Sequence, residues 1–525
     1  MGCVNFSSHI EEKSYHKAGD MRSLILLSIL IWIFSVGFSP CYGKEAAAEE
    51  GELNLSLRQC IELMLINNLD LEVERYNPYL QDREIVKEKA AFDPLARFSF
   101  QDSKMVLAPT SLLNGIFFGN QSYEQETIDY EFSLAKKLLT GGLAELKLTT
   151  NKFETNSFFQ LMSPTYHSNF VFSLNQPLLR NFGINLNKSG IIISSNNKEI
   201  SQTRLKDKTI KMITTLQQIY WNLYLSQQVL GVKRGSLQLA RDLMARNEAL
   251  VEVGKLPSVE VLRSSAGVAS REEDVILAEN NTRDVEDLLR ESLNLPFQGE
   301  VITLVDKPVL KEVVLMKTEE YLKTAIETRP DYKEVKIHLE NLTVANKMAK
   351  NAMLPLFDFQ ASYGINATKG HLDESVQGLD AGGDYSWMVG LKMEIPLGNR
   401  WAKSNYQKSM LQIKKAETSL KSLERKIELE IREALREIES NYKRTSATRE
   451  ALRLAEKNME AEEERMDLGM STSVDLLRVQ EELAVAQSRA TKAIVDYIIS
   501  LNNLDRVAGT ALETHQISVQ NNRPL

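Results

Sequence analysis

The chain has 525 residues, of which 43% are hydrophobic and 26% charged, with a formal net charge of -8. Length alone allows roughly three or four ordinary domains, and the mild acidity argues against the basic groove that a nucleic-acid partner requires. Its three cysteines, Cys3, Cys41 and Cys60, offer neither a disulfide framework nor a zinc-type pair.

The N-terminal stretch reads as an export signal. Residues 24–34 form an apolar run after Lys17 and Arg22, and Cys41-Tyr42-Gly43 supplies small residues where a signal peptidase reads. The expectation is a leader and signal peptide over 1–43, with translation starting at Met21. Met1-Gly2-Cys3 superficially resembles a myristoylation site, and Cys41 a lipidated cysteine, against which Pro40 counts. No later segment has about 18 uninterrupted apolar residues, so no helix is expected to cross a membrane beyond it.

Residues 55–92 predict a helix with Ser56 as N-cap and Pro94 just past its end. Strand signals follow. Ala96, Phe98 and Phe100 alternate with polar neighbours, as do Ile128, Tyr130, Phe132 and Leu134, then Phe170, Phe172 and Leu174. Thr140-Gly141-Gly142 reads as a hairpin turn, since no GK[ST] follows to make a phosphate loop. Residues 184–250 predict one long helix with apolar positions Ile213, Leu216, Tyr220, Leu223, Leu230, Leu237, Ala240 and Met244, and 258–294 its return. Residues 295–315, with Pro296 and Pro308, form a connector with a small mixed patch at mid-height. A helix over 316–354 comes next. Two strands follow, on Phe357, Phe359, Ala361, Tyr363 and Ile365 and on Trp387, Val389, Leu391, Met393 and Ile395. The long helix 399–467 carries Ile413, Ala416, Leu420, Leu423, Ile427, Ile431, Ala434 and Ile438 at spacings of three and four, a coiled-coil seam. Helix 474–508 returns, leaving a tail over 509–525.

This order occurs twice. Asp331 and Pro355 follow Asp70 and Pro94 at one offset, 261 residues, while Ile395-Pro396-Leu397 follows Gln176-Pro177-Leu178 at 219. The tips Gly254-Lys-Leu-Pro-Ser258-Val-Glu260 and Gly469-Met-Ser-Thr-Ser473-Val-Asp475 align at 215. The chain is therefore one unit of about 220 residues built twice, over 53–294 and 316–508. The drop from 261 to 219 leaves 42 extra residues in the first strand region, which holds the additional strand-like runs 126–136 and 143–152. Period-two runs of about 10 residues, apolar on one face, suit a membrane barrel; a soluble half-buried sheet is the alternative. Four to six strands cannot close a barrel, because the smallest use about eight, so a membrane reading requires several copies.

Several motifs together resemble the TolC-type outer-membrane efflux protein family: Leu57-Arg-Gln-Cys-Ile61 with Asn67-Asn68, Ala91-Phe92-Asp93-Pro94, Gln176-Pro177-Leu178 and the two glycine tips. The resemblance covers about residues 53–510. It implies an α+β fold, internally duplicated, in which a long α-helical coiled-coil periplasmic barrel joins a transmembrane β-barrel completed by oligomerisation. It implies a homotrimer in the outer membrane of a Gram-negative-type cell, contacting outer-membrane lipid. Its helices would dock on a periplasmic adaptor protein and an inner-membrane transporter. Such ducts carry drugs, metals or secreted polypeptides, and the usual trimer has 12 strands; six strands from each copy would give 18.

No catalytic, cofactor or metal constellation is visible: the six histidines are scattered, without HExxH or paired ligand spacing. Glu462-Glu463-Glu464-Arg465 reads as a solvated helix face. The tips are the candidate site. Gly254 and Gly469 permit reversal; Ser258 and Ser473 can cap the returning helices, with Glu260 and Asp475 in the first turn. The resemblance places acidic residues of the second returning helix around the periplasmic mouth. Asp475 matches, whereas Arg478 stands where some relatives have a second acid, and Glu260 with Arg263 repeats the pattern. These four are the candidate pore constriction. Gly254, Leu256, Ser258, Gly469, Ser471 and Thr472 are the candidate adaptor contacts. The expected activity is a passive exit duct, not an enzyme; the alternatives are a periplasmic coiled-coil scaffold without conductance and a barrel-bound enzyme.

Overall fold

The computed structural model describes residues 52–108, 116, 122–158, 160–310, 315–380 and 384–517. The expected leader lies outside them, as do parts of the 103–125 and 369–385 loops, of the connector and of the tail. Met1–Glu52 and Gly299–Val301 form one compact unit, of which only Glu52 and residues 299–301 are described. Leu53–Gln298 with Ile302–Leu525 form the other.

The chain opens with β1 (Glu52–Leu55), then α1 (Leu57–Asn67) and α2 (Leu69–Ala90). One helix was expected here, but it breaks at Asn68, whose extended backbone ends α1 and whose side chain accepts from Leu71 N at 3.1 Å to start α2. The second repeat breaks at the equivalent residue, Arg329, between α6 (Thr318–Thr328) and α7 (Pro330–Asn351). There the cause is Pro330, which holds Arg329 extended at φ -64° and ψ 125°. Ser56 caps α1 as expected, in a capping box. Its hydroxyl accepts from Gln59 N at 3.3 Å, and Gln59 Oε1 accepts from Ser56 N at 2.9 Å. Ser56→Ala is expected to cost about 1 kcal/mol; an unchanged thermal unfolding curve would show that β1 alone fixes this entry.

The long helices are α4 (Ser189–Glu252), after the short α3 (Ile184–Asn187), and α9 (Arg400–Asp467). Their 64 and 68 residues rise about 96 and 102 Å at 1.5 Å per residue. Their returns are α5 (Val259–Leu293) and α10 (Ser473–Ala508), and α11 (Ala511–Thr514) ends the described chain. Two shorter helices share one long one. Lys198–Asp82 (2.7 Å) and Lys208–Asp70 (3.4 Å) join α2 to the first half of α4, while Arg234–Glu279 (2.7 Å) and Arg241–Glu272 (2.6 Å) join α5 to its second half.

The core sits where helices converge. Cys60, Ile61 and Met64 of α1 pack on Ile213, Leu216, Tyr220 and Leu223 of α4, Leu289 and Leu293 of α5, and Ile302. Ile302 belongs to β6 (Val301–Leu304), which pairs with β1, so the connector's mixed patch is a two-stranded sheet. Asp306 seals it: its Oδ2 accepts from Leu57 N at 2.7 Å and from the Tyr220 hydroxyl at 3.2 Å. Burial first, then Asp306, pushes the Cys60 thiol up to about 12, so this cysteine is an inert core group. A second cluster joins Tyr321 and Ala325 to Ile427, Ile431, Ala434 and Ile438 of α9 and to Tyr497 and Leu504 of α10. Only this half of the α9 seam is buried; Ile413, Ala416, Leu420 and Leu423 are half-exposed.

The larger sheet has six antiparallel strands in the order β2 (Leu95–Leu107), β3 (Tyr123–Lys137), β4 (Leu143–Thr155), β5 (Thr165–Pro177), β7 (Leu356–Lys369) and β8 (Asp384–Glu394). Most strands run longer than the alternation suggested, although Ile395 falls just outside β8. A short α8 (Leu372–Gln377) lies between β7 and β8. Register makes one face apolar. Ala96, Leu134, Leu146, Phe172, Tyr363 and Trp387 form one cross-strand row. Phe98, Phe132, Leu148, Phe170, Ile365 and Tyr385 form the next. Between them the opposite face presents polar side chains, including Lys147 paired to Glu131 at 2.8 Å. Apolar rings lie outward: Phe98 is 69% exposed and Trp387 68%. Hydroxyls interrupt the apolar face at Thr150 and Ser168, 3.0 Å apart, and α8 covers them through Ser375, 2.9 Å from Ser168.

Candidate functional site: the two helix reversals

Both reversals are built alike. Gly254 and Gly469 have φ +73° and +74°, the left-handed region that glycine enters without cost. Each is followed by a hydrogen bond from the next amide to the carbonyl five residues back, Lys255 N to Leu250 O at 2.9 Å and Met470 N to Arg465 O at 2.8 Å. This Schellman pattern satisfies carbonyls left open at the ends of α4 and α9. The reversals leave large apolar side chains bare: Val253, Val259 and Leu262 at the first, Leu468, Met470 and Val474 at the second. Leu262 and Leu468 are 70% and 71% exposed.

The caps differ from expectation. Ser258 has helical backbone and makes no side-chain cap bond. Ser473 is the first residue of α10 and is buried; Thr472 is the cap, its hydroxyl accepting from Asp475 N at 3.3 Å and donating to Asp475 Oδ2 at 2.7 Å. Ser473 is spent on a contact between the tips, since its hydroxyl accepts from Asn247 Nδ2 at 3.0 Å.

The four candidate constriction residues divide into two arrangements. Glu260 and Arg263 form an ion pair at 2.8 Å, with the Glu260 side chain largely buried and its Oε2 without a hydrogen-bond partner. Arg478 instead turns to Glu482 at 2.6 Å, so Asp475 is left with Thr472. The Thr472 hydrogen bond first, helped by the charges of Arg478 and Arg465, holds the Asp475 carboxyl below its ordinary range. Asp475 is thus an ionised, solvent-facing carboxylate at the start of a helix. The Glu462–Arg465 run is not wholly solvated: Glu462 is 5% exposed, pairs with Arg465 at 3.0 Å and accepts from Ser471 Oγ. Glu463 and Glu464 do face solvent.

The two tips form one platform. Arg246 pairs with Asp467 at 2.8 Å, and Lys233 bridges Asp274 at 2.8 Å and Glu481 at 3.6 Å. Arg271, in the middle of α5, donates to Ser236 Oγ at 3.0 Å and to Leu477 O at 2.8 Å; burial lowers its pKa. Asn247 and Arg271 escaped the sequence reading because single polar residues inside long helices carry no motif. Among the described residues, no group of histidine, cysteine, aspartate or glutamate could hold a metal ion.

The chain joins a six-stranded sheet with one largely apolar face to duplicated long helices that reverse at glycine tips, and its fold is similar to that of solved outer membrane channels. Residues 321–510 match the sequence model of the family described as outer membrane efflux protein. Among solved structures, the Campylobacter jejuni CmeC outer membrane channel is 16% identical with a TM-score of 0.64, covering 87% of this chain and 86% of its own. The Vibrio cholerae outer membrane protein VceC is 13% identical, TM-score 0.61, covering 86% and 96%. The Neisseria gonorrhoeae MtrE outer membrane channel, solved in its open state, is 14% identical, TM-score 0.61, covering 87% and 89%. No curated protein matches the sequence. The family resemblance read from the sequence is the one found, and the expected α+β class is the fold observed.

Proposed function

We propose that this chain is an outer-membrane exit duct of a tripartite efflux or type I secretion system, with its sheet in the outer membrane and its helices in the periplasm. The observation that carries the reading is the sheet: one face with two apolar rows running unbroken across all six strands, exposed aromatic rings on it, and two open edges. In lipid every backbone group must be paired, so an open six-stranded sheet has to be closed by further copies. Three copies follow from the fold family. The repeats 53–294 and 316–508 then contribute alternating helix pairs to a hollow periplasmic cylinder. Conduction is passive, and the inner-membrane transporter supplies the energy. The bare apolar residues around Gly254, Leu256, Ser258, Gly469, Ser471 and Thr472 suit a periplasmic adaptor.

Asp475 lines the narrowest periplasmic opening in this reading, with Arg478, Glu260 and Arg263 behind it. A ring of three carboxylates kept ionised by Thr472 attracts cations and repels anions. Purified protein in planar bilayers is expected to conduct, and Asp475→Ala to raise conductance or weaken cation selectivity. Unchanged values across salt concentrations would return Asp475 to a capping-turn role. Membrane-inserted protein that conducts nothing would favour the scaffold instead.

A further inference from the structure

The hairpin β3–β4 is the part of the sheet that the second repeat lacks. Two placements are open to it: inside the membrane wall, or folded outside a wall made by the other four strands. The register decides between them. Both apolar rows pass through the hairpin without changing face, at Leu134 and Leu146 in one and at Phe132 and Leu148 in the other. The neighbouring polar row does the same, running from Ser99 through Glu131, Thr149, Asn169 and Asn366 to Asp384. A one-residue slip at either side of the hairpin would invert its faces, and none occurs.

The hairpin is also sized for a bilayer. On the apolar face of β3, Glu126 and Lys136 bracket Ile128 to Leu134. Those ten steps span about 34 Å at 3.4 Å per residue, or about 24 Å of height at a 45° tilt, matching an apolar band of about 25 Å. Charges collect at the end away from the helices, where Lys104 pairs with Glu124 at 2.9 Å beyond the band, and Lys152, opposite Ile128 at its margin, pairs with Glu154 at 2.7 Å. Removing the hairpin would break the whole β2–β3 ladder and the β4–β5 ladder from Leu143 to Phe153. It would also remove the one strand that β2 pairs with among the described residues of its own copy.

We propose that all six strands of each copy enter the membrane wall, with β8 of one copy pairing to β2 of the next, so that three copies close an 18-stranded barrel. The occupant of each open edge is thus a second copy of this chain. Parity permits it: in a sheet of six antiparallel strands β2 and β8 run in opposite directions, so the new pair is antiparallel as well. Barrel diameter grows roughly linearly with strand number, so this wall is about 1.5 times as wide as one of 12 strands. Walls of 16–18 strands enclose an aqueous channel, here lined by the polar rows. The exit would then pass bulkier cargo than the tips do, and selection would rest on the tips.

The proposal rests on the outer-membrane reading above, and its test separates the two. Spin labels are placed singly at Phe132 and Leu148 in the hairpin, at Phe172 and Tyr363 as references, and at Glu131, in full-length protein reconstituted in liposomes. Phe132 and Leu148 are expected to match the references, with an oxygen-to-nickel-complex accessibility ratio several-fold above that of Glu131. Nickel-accessible Phe132 and Leu148 beside lipid-facing Phe172 and Tyr363 would overturn the wider wall and leave the duct standing. Water exposure at all four would overturn both. Cysteine pairs joining Ser99 to Ser386, Met388 or Gly390 of the next copy are expected to give disulfide-linked trimers; no crosslink from any pair would overturn the edge pairing.

Discussion

Gly469→Val is expected to abolish export while leaving trimer assembly and membrane insertion intact. The sheet and the buried clusters of α1 and α6 lie far along the chain from this residue, so assembly does not depend on it. A Cβ built at Gly469 meets nothing within 4 Å, so the damage is not crowding. It is backbone: φ is +74°, where a β-branched residue costs about 1–3 kcal/mol. Relieving that strain means opening the reversal, which breaks the bond from Met470 N to Arg465 O and displaces Leu468, Met470 and Val474 together. Those side chains form the bare apolar surface offered to the adaptor. Asparagine tolerates the left-handed region, so Gly469→Asn should retain most export and serves as the control. The measurement is substrate efflux in cells, with oligomer mobility on gels for assembly. Normal efflux by Gly469→Val would remove this reversal from the partner surface; Gly254→Val tests the first tip in the same way.

Much of this architecture was legible because its signals are periodic or punctuated. The spacing of Ile427, Ile431, Ala434 and Ile438 predicted a buried seam, and those residues are buried. The glycine tips aligned at one offset, and their φ angles agree within a degree. The breaks at Asn68 and Arg329 were missed because helix periodicity continues across them; one is set by an asparagine cap and the other by Pro330. Thr472 was passed over as a cap in favour of Ser473 because both residue types cap well, and only backbone angles separate them. The half-exposed stretch from Ile413 to Leu423 has a different origin. Its apolar positions keep the seam spacing, yet in a single copy of the chain they stay half-exposed. The ties between tips, Asn247 to Ser473 and Arg271 to Leu477, join residues more than 200 apart in sequence, and nothing local announces them.

Arg329→Ala is expected to cost about 3 kcal/mol, the lower end of the range for breaking a buried ion pair, because Asp331 remains about a third exposed. Arg329 sits at the break between α6 and α7. It holds Asp331 with two hydrogen bonds, Nη2 at 2.7 Å and Nε at 3.0 Å, and Glu430 of α9 at 2.7 Å. Its Nη1 also reaches Val507 O near the end of α10 at 3.1 Å, so one guanidinium joins three elements of the second cluster. Truncation removes the guanidinium from two carboxylates and a carbonyl, leaving Asp331 with only the Tyr332 N–H at 2.9 Å. Burial works against the ionised Asp331 carboxyl, but the Arg329 hydrogen bonds and charge outweigh it, and its pKa is lowered. A carboxyl depressed in the folded state contributes stability above its unfolded pKa, roughly 3.9, and loses it as pH falls through the folded value. The native protein should therefore lose this contribution below about pH 4. In Arg329→Ala the unpaired Asp331 instead gains from protonation. The gap in melting temperature between the two proteins, followed by helical circular dichroism at one scan rate, is expected to be widest near neutral pH and to narrow on acidification. A gap that stays constant from pH 7 to pH 3 would mean that Arg329 acts through its packing and its bond to Val507, not through its charge.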